Sequence, residues 1–383
     1  MRVFVLAGEP SGDKLGGALM AGLKALHPQV VFEGIGGPEM AAQGLQSRFD
    51  MSELSVMGLA EILPRYRALM ARINQTAAAV IEMQPDVLIT IDSPDFSLRV
   101  ARRVKAGSKV RTVHYVAPSV WAWRPGRAEK MARYVDHVLA LLPFEPPYME
   151  AAGMACDFVG HPVVAEPVAS PEQAAAFRAE HELGGGPLVL MLPGSRRSEV
   201  ARLGPVFQQV AARLAQARPD LRIVIPAAAA VARDVKHLAH NWPIAPIVLD
   251  PRDMALGQAA QTKRAAFRAA DVALAASGTV SLELAAADTP MVIAYDMSWL
   301  SRQIIGRMVK VETVTLVNLV SETRAVPEFI GANCRPGPIT QSVLEVLAAP
   351  EAQRDALAAT MQRLGRGGEA PGRRAARAVL DRM

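Results

Sequence analysis

Short apolar runs alternate with amphipathic stretches along most of the chain. Runs typical of buried strands occupy positions 2–7, 30–35, 86–91, 111–116, 138–142, 157–159, 188–192, 221–226, 247–249, 271–275 and 291–294. Many of the segments between them carry apolar residues at helical spacing. Strands that alternate with helices form parallel sheets with helices on their faces. The pattern therefore predicts an α/β fold made of two Rossmann-like halves.

Each half has polar or glycine-rich loops at the carboxyl ends of its strands, where open α/β sheets bind ligands. The two halves are therefore predicted to face each other across a cleft. The first domain is predicted at residues 1–165 and the second at residues 166–345. Residues 166–186 are rich in Pro, Ala, Gly and charge and are interpreted as the linker. Residues 346–383 are predicted to form C-terminal helices that pack back across the domain boundary.

Composition narrows the classes of function. Of the 383 residues, 51% are hydrophobic and 21% are charged, a balance typical of a globular protein with ample cores. The net charge of +5 suits phosphorylated substrates or anionic lipid. The low aromatic content, without any interleaved basic run, disfavours nucleic acid. Cys156 and Cys334 match no metal spacing and indicate reduced thiols in a cytoplasmic protein. Neither a signal peptide nor a run of about 18 apolar residues is visible, and we predict no metal or cofactor.

One stretch of the second half predicts a phosphate site. Ser277, Gly278 and Thr279 form a turn between the apolar run 271–275 and a predicted helix at 280–287. Such a turn presents backbone N–H groups and the positive end of a helix dipole, which suit a diphosphate. Glu283 follows about one helical turn later, where its carboxylate could accept both ribose hydroxyls of a nucleotide. The alternative is an ordinary connection with an N-capping Ser or Thr and a solvated Glu.

A second loop of the same half also suits a phosphate. Gly194, Ser195 and Arg196 follow the predicted strand 188–192 and precede a predicted helix. The Arg196 guanidinium suits a phosphate contact, and Glu199 is placed to pair with it or to orient it. Asn318 is a further polar residue between apolar neighbours.

The first half opens with a loop that differs from a dinucleotide fingerprint. Glu9, Ser11, Gly12 and Asp13 lie in the sequence GEPSGDKLGG, after the strand 2–7. The two carboxylates would repel a pyrophosphate, so the loop is interpreted as a sugar or acceptor loop, with a purely structural turn as the alternative. Asp95 follows the strand 86–91 and is either a helix N-cap or a general base at the carboxyl end of that strand.

Residues 54–73 have the spacing of an amphipathic helix, which Pro64 is expected to break or kink near Leu63. One interpretation is a helical pair that packs on the sheet. The other is an apolar patch with basic neighbours that docks on an anionic membrane. The predicted patch comprises Val56, Met57, Leu59, Ile62, Leu63, Tyr66, Leu69 and Met70.

Trp121 and Trp123 alternate in a loop that follows the strand 111–116, with Arg124 and Arg127 beyond them. Exposing two indole rings to water in a loop costs free energy, so the loop is predicted to pack against another surface. A wall of an acceptor cleft and a plain domain brace are equally compatible with the pattern.

These motifs together resemble the lipid-A-disaccharide synthase family of GT-B glycosyltransferases, which have two Rossmann-like domains. The resemblance runs in family order over nearly the whole chain and fades after Ile330. The combination of IDSPDF with HYVAPSVWAWRPGR is its most specific part. The matching motifs are GEPSGD from Gly8, GIGGPEM from Gly34, VMGLAEIL from Val56, IDSPDF from Ile91, HYVAPSVWAWRPGR from His114, LPFE from Leu142, GHP from Gly160, LPGSRRSEV from Leu192, ASGTVSLE from Ala276, VNL from Val317 and VPEFI from Val326.

The resemblance implies a reaction and its partners. UDP-2,3-diacylglucosamine would donate its sugar to 2,3-diacylglucosamine 1-phosphate, with inversion, to give a β-1,6-linked disaccharide 1-phosphate and UDP. The first domain would bind the acceptor and face the membrane, and the second would bind the UDP-sugar. A cytoplasmic protein held at the inner face of the inner membrane is expected, and the resemblance leaves open a homodimer. The acylated substrates also favour the membrane interpretation of the apolar patch.

The resemblance also suggests roles for the candidate residues. Glu283 would bind the ribose, and Arg196 with the turn 277–279 would stabilise charge on the departing UDP. Asn318 would lie near the diphosphate or the sugar. Asp95 would be the general base, with Asp92 as the rival carboxylate.

Two other classes of function remain open. A nucleotide-sugar epimerase of the same fold would keep Glu283 and its turn, and it would act on a UDP-sugar without an acceptor. A non-catalytic lipid-binding protein would explain the apolar patch but neither phosphate-type loop.

Overall fold

The computed structural model describes residues 1–54, 59–122, 126–240, 242–255, 257–297 and 313–383, with backbone only for 59–65. The chain divides into two compact units. The first unit comprises Met1–Ala165 together with Leu364–Met383, and the second comprises Glu166–Arg363. The predicted terminal segment 346–383 is therefore split between the units after Arg363.

The first unit contains a six-stranded parallel sheet in the order β2-β1-β3-β4-β5-β6. Its strands are β1 Arg2–Ala7, β2 Val31–Ile35, β3 Val87–Ile91, β4 Arg111–Tyr115, β5 His137–Ala140 and β6 Ala155–Phe158. Its helices are α1 Pro10–Leu26, α2 Pro38–Ala42, α3 Leu59–Met83, α4 Pro94–Gly107, α5 Gly126–Met131, α6 Pro146–Glu150 and, at the C-terminus, α15 Pro371–Leu380.

The second unit repeats this architecture with the sheet order β12-β11-β10-β7-β8-β9, again parallel. Its strands are β7 Leu188–Leu192, β8 Arg222–Pro226, β9 Ile247–Leu249, β10 Val272–Ala276, β11 Met291–Tyr295 and β12 Glu328–Ile330. Its helices are α7 Pro171–Glu180, α8 Arg197–Ala217, α9 Ala232–His240, α10 Gln258–Ala269, α11 Val280–Ala286, α12 Leu316–Ser321, α13 Pro336–Ala348 and α14 Glu351–Arg363.

The central strands explain why the sequence folds as two parallel sheets. Every residue of β3, β7 and β10 is buried, as expected for strands covered by helices on both faces. Strand order reverses between β1 and β3 in the first sheet and between β7 and β10 in the second. Ligands of open α/β sheets bind beside the carboxyl ends of strands at such switch points. The four loops that follow these strands are therefore where a site is expected.

Two local predictions differ from the structure. Helix α3 runs without a break through Pro64, which costs the helix one backbone hydrogen bond, so the predicted break near Leu63 is absent and a kink there stays a prediction. The segment interpreted as a linker contains helix α7. Its start is fixed by a capping box, in which Ser170 accepts from the Gln173 backbone and the Gln173 side chain accepts from the Ser170 backbone.

The last helix, α15, packs on α1 within the first unit through an unusually close backbone approach. A Cβ atom added at Gly372 would lie 2.5 Å from the carbonyl oxygen of Ala18, and one at Gly22 would lie 2.7 Å from the carbonyl oxygen of Gly372. Glycine is therefore required at both positions. Two arginines of the terminal segment hold it to β6, where Arg374 donates to the Phe158 carbonyl and Arg382 pairs with Asp157.

Candidate functional site

The two predicted phosphate loops flank the switch point of the second sheet. Strands β7 and β10 are hydrogen-bonded neighbours, with Leu192 opposite Ala275. The loop that follows β7 carries Arg196, and the turn that follows β10 carries Gly278. The structure therefore brings together, at one edge of one sheet, two loops that lie about eighty residues apart in sequence.

The turn 277–279 presents an open backbone surface. Gly278 has φ +154°, and a Cβ atom added there would meet no other atom within 4 Å. Thr279 occupies the N-cap position of α11 without a side-chain capping bond, and the Ser281 hydroxyl donates to the Gly278 carbonyl instead (2.9 Å). The N-capping interpretation of Thr279 is therefore wrong. The turn can let a ligand approach its backbone closely.

Glu283 has a partner that the sequence interpretation missed. The Lys263 ammonium on α10 lies 2.6 Å from Glu283 Oε2, and both side chains are 44% exposed. The same ammonium lies 5.1 Å from the centre of the Phe267 ring. Lys263 lies twenty residues before Glu283, so only the pairing of their helices in space reveals the contact. The ion pair engages one carboxylate oxygen and fixes its direction.

Glu199 accepts hydrogen bonds from two backbone N–H groups of the loop that follows β7. Its Oε2 accepts from the N–H groups of Ser195 (3.0 Å) and Arg196 (3.2 Å), and its Oε1 pairs with the Arg196 guanidinium (3.2 Å). A Cβ atom at Gly194, which has φ +117°, would lie 2.5 Å from Glu199 Cβ, so glycine permits this arrangement. The Arg196 side chain is 69% exposed. A phosphate at this loop would therefore meet the guanidinium rather than the two engaged amides.

Asn318 lies inside the second unit. Its side chain is 1% exposed, its amide nitrogen donates to Thr313 Oγ1 (3.2 Å) and to the Val326 carbonyl (2.9 Å), and its oxygen accepts from the Val326 N–H (3.0 Å). These bonds use both of its N–H donors. In this structure Asn318 ties α12 to the segment ahead of β12. A ligand contact by Asn318 stays a prediction.

In the first unit, Asp13 has a structural role as a hydrogen-bond acceptor for backbone N–H groups. Its carboxylate is 2% exposed and accepts from the N–H groups of Gly37 (2.7 Å), Glu39 (2.9 Å) and Met40 (3.1 Å). It thereby caps the start of α2 from α1, an arrangement in which the helix dipole stabilises the anion. A Cβ atom at Gly37 would lie 2.7 Å from this carboxylate. The placement of Asp13 among ligand-facing residues is therefore corrected.

The remaining residues of the GEPSGD loop lie around the start of α1. Glu9 occupies its N-cap position, and Glu9 and Ser11 are exposed. Gly12 is buried and its Cα faces the end of β3, where an added Cβ atom would lie 3.4 Å from the Ile91 carbonyl oxygen. An acceptor role for Glu9, Ser11 and Gly12 stays a prediction.

Backbone strain is concentrated at the carboxyl ends of β3 and β4. Asp92, Ser93 and Val116 have φ values of +47°, +44° and +87°. Left-handed conformations cost of order 1–3 kcal/mol for residues other than glycine and cluster at functional sites. The Asp92 N–H donates to the Tyr115 carbonyl (3.0 Å), which joins the two strained loops. Sequence patterns carry no signal for this feature, because none of these residues is glycine.

The two candidate carboxylates differ in environment. Asp92 is half-buried, and burial raises its pKa, although the Ser93 N–H acts in the opposite direction. Asp95 is exposed in the first turn of α4, where a negative charge interacts favourably with the helix dipole. Burial therefore makes the Asp92 carboxylate a stronger proton acceptor than a fully solvated aspartate.

A buried histidine lies directly below this strained edge. His114 on β4 faces Thr90 on β3, with 2.8 Å between His114 Nδ1 and Thr90 Oγ1, and Thr90 Oγ1 also donates to the Val113 carbonyl (3.2 Å). The ring nitrogen is then the donor to the hydroxyl. Burial, followed by the charge of Arg127, lowers the pKa of His114 to about 4. His114 is therefore neutral at pH 7 and serves to join β3 and β4.

The predicted membrane patch is described in part. Val56 and Met57 lie outside the described residues, as do the side chains of Leu59, Ile62 and Leu63. Tyr66 is exposed, whereas Leu69 and Met70 are partly buried against the core, which corrects their placement on a free surface. No helix within the described ranges is long and apolar enough to cross a membrane.

The chain is similar to known proteins over nearly its whole length. A model of the lipid-A-disaccharide synthetase family matches residues 3–378. A lipid-A-disaccharide synthase from Ruegeria pomeroyi is 64% identical, with 100% of this chain and 96% of the relative covered. A lipid-A-disaccharide synthase from Rhodospirillum centenum is 48% identical, with 99% and 94% covered.

Solved structures agree in fold at low sequence identity. A putative UDP-N-acetylglucosamine 2-epimerase from Listeria monocytogenes matches with a TM-score of 0.64 at 15% identity, covering 99% of this chain and 94% of that chain. A UDP-GlcNAc 2-epimerase from Neisseria meningitidis, bound to UDP-GlcNAc, matches with a TM-score of 0.63 at 12% identity, covering 100% and 99%. The predicted α/β fold of GT-B type is confirmed.

Proposed function

The chain belongs to the lipid-A-disaccharide synthetase family, and from that premise we propose the reaction in detail. UDP-2,3-diacylglucosamine donates its sugar to the 6-hydroxyl of 2,3-diacylglucosamine 1-phosphate. The products are a β-1,6-linked tetraacyl disaccharide 1-phosphate and UDP. An α-linked donor that gives a β-linked product undergoes inversion, so the reaction is a single displacement without a covalent sugar–enzyme intermediate.

One observation carries the donor half of the proposal. The open Gly278 turn and the exposed Arg196 guanidinium lie on adjacent loops at the switch point of the second sheet. Arg196 stabilises negative charge on the diphosphate as the bond to the sugar breaks, a preorganised electrostatic contribution. Glu283, oriented by Lys263, accepts hydrogen bonds from the ribose hydroxyls. The second unit thus binds the UDP-sugar.

The acceptor half requires a base for the attacking hydroxyl. We assign this role to Asp92 ahead of Asp95, the candidate favoured by sequence. Three features support Asp92: a left-handed backbone at the end of a fully buried strand, a half-buried carboxylate, and a pKa raised by burial. A base whose pKa lies closer to the working pH is a better proton acceptor, and general base catalysis typically contributes about 10²–10⁴-fold.

A matched pair of variants separates the two carboxylates. Asp92→Asn and Asp95→Asn each remove one negative charge with almost no change of shape. We expect Asp92→Asn to lower kcat by about 10²-fold or more while UDP affinity is unchanged. Asp95→Asn keeps a polar first-turn residue, so its kcat should stay within about threefold of wild type. The lost charge at the helix terminus should lower the stability of the fold by only about 0.3–1 kcal/mol. The reverse pattern would return the base to Asp95.

The membrane is the proposed location of both substrates, because each carries acyl chains. The exposed side chains of Tyr66 and its neighbour Arg67 support contact of the first unit with anionic lipid. Co-sedimentation with vesicles of anionic lipid tests this, with Tyr66→Ser as the variant. Unchanged binding of Tyr66→Ser would remove that residue from the contact.

Release of UDP distinguishes the proposal from the epimerase alternative. A transferase releases UDP in proportion to the acceptor supplied, whereas an epimerase converts the UDP-sugar without acceptor. Wild-type protein is incubated with UDP-diacylglucosamine, with and without the sugar 1-phosphate, and UDP is measured. Arg196→Ala should lower UDP release strongly in the complete mixture. Conversion of the UDP-sugar at the same rate in both mixtures would overturn the transferase assignment.

A further inference from the structure

The loop that enters α8 already holds a negative charge that belongs to the chain itself. Helix α8 begins at Arg197, directly after the loop 194–196 at the carboxyl end of β7. Backbone N–H groups at the start of a helix ordinarily attract a phosphate or another anion. Here the Glu199 carboxylate accepts from them, on a side chain that is only 14% exposed. The anion-binding position of this loop is therefore occupied before any ligand arrives.

The contacts of Glu199 are of the kind that a bound phosphate makes. One carboxylate oxygen accepts from the N–H groups of Ser195 and Arg196, at 3.0 and 3.2 Å, and the other lies 3.2 Å from the Arg196 guanidinium. Two adjacent amides and an arginine are donors that suit the oxygens of a diphosphate. Carboxylate and phosphate oxygens accept from the same donors, so Glu199 takes the place of a phosphate at this loop.

The neighbouring turn, after β10, is open in contrast. Gly278 faces open space, and Thr279 makes no side-chain capping bond. The carboxylate in the first turn of α11 is Glu283, which pairs with Lys263 instead (2.6 Å). The two loops at this switch point therefore offer different things to an anion. One presents open backbone, and the other presents a guanidinium whose charge is partly balanced.

We propose that Glu199 is a positioning residue that sets the affinity for UDP: it occupies the two amides of loop 194–196, directs the Arg196 guanidinium towards the diphosphate, and thereby lets UDP leave readily after transfer. The identity of the anion as UDP rests on the proposed function, whereas the contacts of Glu199 do not.

Two physical effects of the carboxylate support this role. Diphosphate oxygens that approach Arg196 also approach Glu199, because the two side chains are in contact, and like charges disfavour binding. The ion pair also restricts the Arg196 side chain, which is 69% exposed and would otherwise have many rotamers. Glu199 thus weakens binding of the product while it preorganises the charge that stabilises the bond-breaking step.

Glu199→Gln tests the role of the charge, because it keeps a side-chain oxygen that can accept from the two amides. The affinity for UDP should rise about tenfold in calorimetry, since the repulsion is lost. The kcat should fall about tenfold or more, since the guanidinium loses the partner that directs it and UDP leaves more slowly. A purely structural role would lower the melting temperature without tightening UDP binding. Weaker or unchanged UDP binding, or an unchanged kcat, would overturn the proposal.

A second background and a matched control show whether Glu199 acts through Arg196. In Arg196→Ala, the further change Glu199→Gln should alter kcat less than about twofold, and independent, multiplying effects would contradict the proposal. Glu172→Gln is the control, because Glu172 is an exposed first-turn residue of α7 in the same unit. Its neighbour Pro171 lines a cavity with Gly186, just before β7, which places Glu172 at the opposite edge of the sheet. This control should keep the wild-type kcat and UDP affinity.

Hydrogen exchange of the wild type tests the inference without a variant. Because Glu199 accepts from the amides of Ser195 and Arg196 with or without ligand, their exchange rates should change less than about twofold when UDP is added. The amide of Gly278 should exchange more slowly under the same conditions. Marked slowing at Ser195 and Arg196 on addition of UDP, with these amides exchanging freely beforehand, would show that a phosphate and not the carboxylate binds them, and the inference would be wrong.

The measurements of affinity and exchange do not depend on the acceptor, so they separate failure of this inference from failure of the proposed function. If UDP binds more tightly to Glu199→Gln but the wild type forms no disaccharide, the role of Glu199 at the UDP site stands while the proposed reaction fails. If the disaccharide forms but Glu199→Gln binds UDP no more tightly than the wild type, the inference alone is wrong.

Discussion

Replacing Asp13 tests whether a buried carboxylate joins the first two loops of the first unit. Its two oxygens accept three backbone N–H groups, at 2.7, 2.9 and 3.1 Å. Asn has a single side-chain oxygen, which can serve Gly37 and Met40, while its NH₂ group would face the Glu39 N–H, donor against donor. Leaving one buried donor unsatisfied costs about 1–3 kcal/mol. In a unit of this size that corresponds to a lower melting temperature by about 2–12 °C.

The assay combines calorimetry with hydrogen exchange. Asp13→Asn should lower the transition of the first unit, and the amides of Gly37, Glu39 and Met40 should exchange faster. Asp50→Asn is the matched control, because Asp50 also accepts a backbone N–H, from Ser52 (2.8 Å), but is exposed. Exposed sites of this kind change stability by about 0.5 kcal/mol or less. Wild-type melting and exchange in Asp13→Asn, together with a raised acceptor KM, would refute the structural role and restore a ligand role.

Three further predictions follow from the described contacts. Glu283→Gln should weaken UDP binding about tenfold in calorimetry. Lys263→Met should weaken it no more than about threefold, because the Lys263–Glu283 ion pair is half-exposed. Equal UDP affinities in the wild type and both variants would remove Glu283 from the ribose site. Asn318→Ala should lower the free energy of unfolding of the second unit by about 2–4 kcal/mol in denaturant titrations, because it leaves the Val326 N–H and carbonyl buried without partners. An unchanged free energy of unfolding would favour a ligand role for Asn318 instead. Burial raises the pKa of Glu145 in the folded protein to about 7, above its ordinary value of 4.5. The contribution of Glu145 to the free energy of unfolding is therefore full below about pH 4.5 and is lost as the pH rises to about 7. Melting curves of Glu145→Gln should lack this pH dependence.

The fold could be predicted from sequence because its strands are buried on both faces. Five-residue apolar runs such as those of β3 and β10 leave little choice between strand and helix when glycine or proline follows them. Composition alone hides the helix inside 166–186, because its buried residues are only Ala174 and Phe177. Its signal was the Ser170–Gln173 capping box, a local pattern that composition conceals.

The candidate site could be predicted as a set of loops but not as a set of contacts. Gly278 and Arg196 occur in recognisable turns, and parallel strands bring such turns to one edge of the sheet. The partners of their neighbours depend on side-chain packing over long sequence distances. Thus the contact between Lys263 and Glu283 is invisible in the sequence, and so is the use of Asp13 as a cap. The strain at Val116 also cannot be read from a residue type that ordinarily favours strands.

The reaction product is the most direct test of the account. Wild-type protein is incubated with UDP-2,3-diacylglucosamine and 2,3-diacylglucosamine 1-phosphate, and the lipid fraction is analysed by mass spectrometry and by NMR of the anomeric proton. The account predicts a tetraacyl disaccharide 1-phosphate with a β linkage, formed in equal amount with UDP. Recovery of unchanged acceptor alongside a hydrolysed or isomerised donor sugar, or an α-linked product, would contradict it.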